Sequence, residues 1–274
     1  MRKYRQLSVN SFTERLASKL DPIGSVEVPR DKWELKEAVK KYIGIDIPSK
    51  AVCDGHDSPL DAFAAGYFAE APVVVWEASR GFGGKTVLLA ALSMFEAISL
   101  GAYVTLLGGS GEQAKRVHDY QTGYDTNLPD RFWQWPSAPT SLLLGEPHQW
   151  TTRLKNGARI QVLVASQRSV RGPHPQRLRL DEADETDIDI LDGATGQAMP
   201  RHGIQSNTVL SSTHHNEFGT MAEIKERAEE RGWPVYKWCY RETLTGWLSS
   251  DAVARKRQEV TRYMWNVEYD LDRP

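Results

Sequence analysis

The residues best placed to do chemistry lie in the stretch "WEASRGFGGKT", residues 76–86. It ends in Gly84, Lys85 and Thr86, as does the phosphate-loop pattern G-x-x-x-x-G-K-[ST]. Successive backbone N–H groups of such a loop, with the helix N-terminus behind it, cradle phosphates, and glycines are needed where the backbone approaches them closely. Lys85 is expected to reach the β- and γ-phosphates, and the Thr86 hydroxyl to ligate Mg²⁺. Gly81, Phe82 and Gly83 fill the middle of the loop, but Ser79 stands where the pattern has its first glycine and Arg80 follows it. An arginine there would either compensate phosphate charge in cis or hold an acidic partner until nucleotide binds. The bland alternative is a flexible strand-to-helix turn with a chance GKT.

A second group, "LRLDEADE" (178–185), can supply the acids. Asp181 at a strand end would sit in the outer shell of Mg²⁺, and Glu182 beside the attacking water as general base. The competing reading is a solvated acidic run. Just upstream, "QRSVRGPHPQRLR" carries Arg168, Arg171, Arg177 and Arg179 and no acid. These arginines suit DNA phosphates or the γ-phosphate of a neighbouring subunit, and Arg171, followed by a glycine, is the preferred finger. Their alternative is pairing with nearby carboxylates. "TVLSSTHH" (208–215) ends a strand with Ser211, Ser212 and Thr213, hydroxyls able to sense a γ-phosphate or orient water. His214 and His215 have no carboxylate or cysteine at a matching spacing, and are read as turn residues or DNA contacts. Cys53 and Cys239 are too few for a disulfide framework and lack the clustered spacing of a structural zinc site.

These groups need elements to hold them. "PVVVWEA", "AYVTLLGG", "RLRLDEA" and "NTVLSST" are short apolar or β-branched runs that suit buried strands. "TVLLAALSMFEAISL", apolar nearly all round, and the amphipathic "GEQAKRVHDYQTGY" predict helices between them. The alternation predicts βαβα units and a parallel sheet, hence an α/β fold. Asn156-Gly157 signals a hairpin. Helices are also expected in "RDKWELKEAVKKYIG", in "LDAFAAGYFAEA" with Pro59 in its first turn, in "GTMAEIKERAEERG" and from about Ser250, and an aromatic strand over "PVYKWCYRE". "NLPDRFWQWPSAPTSLLLGEPHQW" is read as an excursion over the edge of the core.

The totals are permissive. The chain has 274 residues, 40% hydrophobic and 26% charged, with a formal charge of -2. That is an ordinary globular composition, with enough length for a sizeable core. No signal peptide and no apolar run of membrane-spanning length is evident.

In this order the motifs resemble the ATPase part of the large terminase subunit of tailed bacteriophages, over roughly residues 50–270. The likeness rests on "HDSPLDAF", "SRGFGGKT", "LLGGSGEQAKRV", "SVRGPHPQRLRLDEAD", "TVLSST" and "MWNVEYDL". An arginine early in the phosphate loop is a habit of that family. The resemblance implies a RecA-like P-loop NTPase of the additional-catalytic-glutamate class, with a mainly parallel central sheet flanked by helices. Carried over, Lys85 and Thr86 bind ATP and Mg²⁺, Asp181 supports the metal, Glu182 activates water, Arg171 acts across the ring, and Ser211, Ser212 and Thr213 couple hydrolysis to movement. His56 and Pro59 match contacts to the adenine end. The implied domains are a helical extension (1–50), an ATPase core (51–248) and a C-terminal helix and linker (249–274). Implied partners are double-stranded DNA, the portal protein, the small terminase subunit and further copies of the chain in a ring, in the host cytoplasm and without membrane. The family normally continues into a nuclease domain, and no cleavage of DNA is expected from this chain. The alternatives are a helicase or recombination-type DNA-dependent ATPase and a non-catalytic nucleotide-dependent assembly module.

Overall fold

β-branched, continuously buried segments become the central strands of a single sheet. The strands are β1 Val73–Ala78, β2 Tyr103–Gly108, β3 Thr151–Arg153, β4 Arg159–Val164, β5 Arg177–Asp181, β6 Asn207–Ser212 and β7 Val235–Trp238. The computed structural model describes residues 26–123, 131–166, 174–244 and 246–274. Across the seven-stranded sheet the order is β3-β4-β2-β5-β6-β1-β7. All pairings are parallel except that of β3 with β4, whose hairpin turns at Asn156-Gly157. Gly157 has φ +88, a value glycine adopts at little cost.

Parallel neighbours require crossovers, and helices cover both faces. On one face lie α1 Lys32–Ile43, α2 Pro59–Phe68, α3 Lys85–Leu100 and α4 Gly111–Thr122, packed on Trp76, Val104, Ile160 and Val209. On the other lie α5 Ile188–Thr195 and α6 Thr220–Arg231, packed on Val75, Leu178, Leu180 and Leu210. Leu35, Val39 and Ile43 of α1 join the same core as α3. The chain closes with α7 Tyr240–Thr243, α8 Ser250–Glu259 and a π-helical turn at Trp265–Tyr269. No described helix is long and apolar enough to cross a membrane.

Three local expectations change. The aromatic strand ends at Trp238, because the Cys239 sulfur accepts the Arg241 N–H and caps a helix. The acidic run is not merely solvated: Asp187 caps α5 through the Asp189 N–H, and Asp184 accepts the Met221 N–H at the start of α6. Arg177 and Arg179 are not phosphate ligands. Alternation along β5 turns Leu178 and Leu180 to one face and both arginines to the other, against α3. There the buried Glu96 pairs with both guanidinium groups, Arg177 Nε lying 3.3 Å from its Oε1 and Arg179 Nε donating to its Oε2 at 3.0 Å. Arg179 also donates to the Asn207 side chain and backbone, and Arg177 to the Gly66 and Tyr67 carbonyls near the end of α2. Arg168 and Arg171 lie outside the described residues.

Removing one partner of a buried ion network strands the others, so Glu96→Ala should lower unfolding free energy by about 3–5 kcal/mol. A loss below about 1 kcal/mol in urea denaturation would contradict the network's role. His118, buried on α4, contacts the Thr152 hydroxyl at 2.9 Å and the Gln149 carbonyl at 3.2 Å, which ties α4 to the hairpin. Burial lowers its pKa from 6.5 to about 4. Between these values the unfolded chain binds the extra proton, so stability should fall as pH drops through that window. His118→Gln should flatten that fall, and an unchanged pH profile in denaturation would contradict it.

Candidate functional site

The ends of β1, β5 and β6 lie side by side because parallel strands terminate on the same edge, where α/β sheets bind ligands. Their register sets Asp181 opposite Ser211 and Glu77 opposite Ser212. From β1 the chain passes through residues 79–84 into α3. Gly84 sits at the helix N-cap in the left-handed region (φ +69), and no side chain caps the helix. The first-turn N–H groups are thereby left for a ligand, and the helix dipole favours an anion there. A Cβ on Gly84 would meet the Trp247 ring at 2.6 Å, and one on Gly83 would come within 2.8 Å of the Ser79 carbonyl.

Lys85 turns back under this loop and is buried. Its ammonium donates to the Ala78 and Ser79 carbonyls (3.0 and 3.2 Å) and to the Thr213 hydroxyl (2.7 Å). Burial lowers its pKa. Thr213 in turn donates to Ala78 O at 2.8 Å, so the last hydroxyl of the "SST" run joins β6 to the loop. Ser212 accepts the Asp184 N–H at 3.1 Å and ties β6 to the acidic turn, while the Ser211 hydroxyl is buried without a partner. Thr86 donates to Asp181 Oδ2 at 2.7 Å. The other Asp181 oxygen is buried and unpartnered, and burial, then the neighbouring Glu182, pushes this carboxyl up to about 6. A buried carboxylate oxygen lacking a donor beside a threonine hydroxyl fits a hard divalent cation such as Mg²⁺. Glu182 follows with φ +53 and ψ +54, strained for a non-glycine residue at a cost on the order of 1 kcal/mol.

Ser79 does not present its side chain to the loop's interior. Its hydroxyl donates to Tyr269 O at 2.6 Å and accepts the Tyr240 N–H at 3.0 Å, fastening the C-terminal turn and α7 behind the loop. Arg80 is paired with an acidic side chain of the C-terminal turn. Its guanidinium contacts Glu268 at 2.7 Å, and its N–H donates to Glu268 O. Phe82 packs edge-on against Tyr269, and its carbonyl accepts from Thr243.

A cavity of about 400 Å³ opens over these groups. Arg80, Lys85, Thr86, Glu182 and Thr213 line it. His215 lines it as well, as do Arg116 and Gln113 of α4, which no motif marks as site residues. The 3.6-residue period of α4 was legible, but not that Arg116 and Gln113 share the face turned to the loop. His215 lies between Asp184 (3.0 Å) and Glu185 (3.3 Å). His56 and Pro59 do not line this cavity: Pro59 is buried in the first turn of α2, and His56 faces Glu242 at 3.3 Å.

A mainly parallel sheet of this order, with a glycine loop leading from β1 into a helix and helices on both faces, defines an α/β architecture. Its likeness among solved structures is to phage large terminases. The large terminase of bacteriophage HK97 matches with TM-score 0.57 and 14% identity, over 84% of this chain and 53% of that one. The large terminase of a thermophilic bacteriophage matches with TM-score 0.54 and 10% identity, over 73% and 48%. The complex of that thermophilic enzyme with ADP matches with TM-score 0.51 and 11% identity, over 72% and 47%. The chain thus has a large-terminase fold and spans about half the length of those proteins. No protein-family model and no curated protein matches the sequence.

Restoring the pattern glycine tests the reading of Ser79. Ser79→Gly leaves the Tyr269 carbonyl and the Tyr240 N–H without their partner and should cost about 1–3 kcal/mol. It should also speed proteolysis of the chain beyond residue 260. Unchanged stability and proteolysis would show that the hydroxyl does not fasten the C-terminal turn.

Proposed function

We propose that the chain is the ATP-hydrolysing motor domain of a DNA-packaging large terminase, a RecA-like P-loop NTPase of the additional-catalytic-glutamate class that drives double-stranded DNA into a procapsid. The observation that carries the reading is the convergence of Lys85, Thr86, Glu182 and Thr213 on one cavity at the strand ends, in a fold shared with phage large terminases. The ADP bound by one such terminase supports a nucleotide as ligand.

In this reading residues 81–84 and the first turn of α3 receive the phosphates through backbone N–H groups, and Lys85 leaves Thr213 to meet the β- and γ-phosphates. Thr86 and Asp181 hold Mg²⁺, which neutralises charge on the phosphates when bound. Glu182 accepts the proton of the attacking water. Thr213 stands between Lys85 and the loop, so it registers the arrival and loss of phosphate. Ser212, bonded to the Asp184 N–H, passes that change to the start of α6. Arg171 acts on the nucleotide of a neighbouring copy in a ring, and the portal and small terminase subunit are the assembly's other partners.

Glu182→Gln should still bind Mg·ATP while turnover falls at least about a hundredfold. Arg171→Ala should lose on the order of a thousandfold or more in turnover. Mixing the two variants should restore activity, since the first keeps the finger and the second keeps the base. Normal hydrolysis by Glu182→Gln would overturn the catalytic assignment, and a mixture as inactive as its components would place Arg171 outside a neighbour's site.

A further inference from the structure

The two cysteines, far apart in sequence, meet in space. Cys53 and His56 lie between α1 and α2, in "CDGH", and Cys239 and Glu242 at the start of α7, in "CYRE". Their four ligand-type atoms fall within 4.8 Å of one another. The sulfurs are 3.7 Å apart and unbonded, and His56 Nδ1 lies 3.3 Å from Glu242 Oε2. Tetrahedral zinc, with Zn–S about 2.3 Å and Zn–N or Zn–O about 2.1 Å, sets two sulfurs about 3.8 Å apart and a nitrogen and oxygen about 3.4 Å apart. Both edges match. Linear spacing gave no zinc pattern because each half of the site is a pair with two residues between its members, and the halves are brought together by the bonds between Asp57 and the Lys237 backbone in β7.

We infer that Cys53, His56, Cys239 and Glu242 form a structural site for a divalent cation of the zinc class, independent of the nucleotide cavity. Four protein ligands leave no open position, which marks a structural rather than a catalytic centre. The surroundings suit such a site. Glu242 Oε1 accepts the Val52 and Cys53 N–H groups and Oε2 the Cys239 N–H, which fixes the carboxylate and leaves Oε2 one lone pair for the cation. Arg241 Nη1 lies 3.6 Å from both sulfurs, so its charge offsets the net single negative charge of two thiolates, one carboxylate and a dication. Cys239 and Glu242 are buried, which slows loss of the ion. The site clips the segment before α2 to the end of β7, one residue from the Tyr240 N–H that Ser79 accepts. It thereby braces the back of the glycine loop.

The full chain, reduced and stripped with a chelator, should bind one equivalent of Co²⁺. The bound ion should show a thiolate-to-cobalt charge-transfer band and the intense visible bands of tetrahedral coordination, and Zn²⁺ should displace it. Zn²⁺ should raise the thermal midpoint of the stripped chain. Cys53→Ser, at the more exposed ligand, and His56→Asn should each lose the one-equivalent binding. Cobalt without a charge-transfer band in the wild type would overturn the site, as would binding undiminished in Cys53→Ser or a Cys53–Cys239 disulfide in the metal-free chain as isolated. The wild-type cobalt spectrum decides even if a variant fails to fold.

Discussion

A buried ammonium that makes no direct ion pair among the described residues organises this structure. Lys85 is almost fully covered, and its donors end on two carbonyls and the Thr213 hydroxyl. Such a group is costly to bury, because the charge loses water and gains in exchange three dipoles and the more distant charges of Glu182 and Asp181, and burial outweighs them. It is tolerable only if β1 delivers the Ala78 and Ser79 carbonyls, β6 delivers Thr213 from the adjacent strand, and α3 starts where the loop turns back. The strand order β5-β6-β1 meets that requirement and sets Glu182 one strand beyond Thr213.

The neighbourhood repeats this tension. Asp181 is buried and held up to about 6, with one oxygen unpartnered, and Glu182 sits in a left-handed conformation. Groups so placed reduce the stability of the chain. The cost is offset elsewhere: by apolar packing on both faces of the sheet, by the Glu96 network under β5, and by the bonds of Ser79 and Arg80 to the C-terminal turn. Sites of function are where local rules are expected to fail, and here several fail within a few residues.

Much of this was legible because short-range rules carried it. The apolar run of β1, the nearly uniform apolarity of α3 and the Asn156-Gly157 turn each prescribe their element locally, and the glycine loop between β1 and α3 acquires meaning from that context. What escaped was set at long range. Ser79 looked like a defect in a phosphate loop because Tyr269, its acceptor, lies 190 residues away. Arg177 and Arg179 read as phosphate ligands because nothing in β5 announces Glu96 on a helix packed across it. Cys53 and Cys239 looked isolated for the same reason. α5 was hidden in an acidic run whose members turn out to be helix caps.

The most direct measurement is chemical denaturation of the wild type and of Lys85→Met, each with and without saturating Mg·ATP. If Lys85 is buried to serve an anionic ligand, the wild type gains several kcal/mol from the nucleotide, about 2.7 at a hundredfold excess over the dissociation constant. The variant should be at least as stable as the wild type without nucleotide and gain almost nothing with it. Equal stabilisation of both chains by Mg·ATP, or a large loss of ligand-free stability in Lys85→Met, would contradict that role.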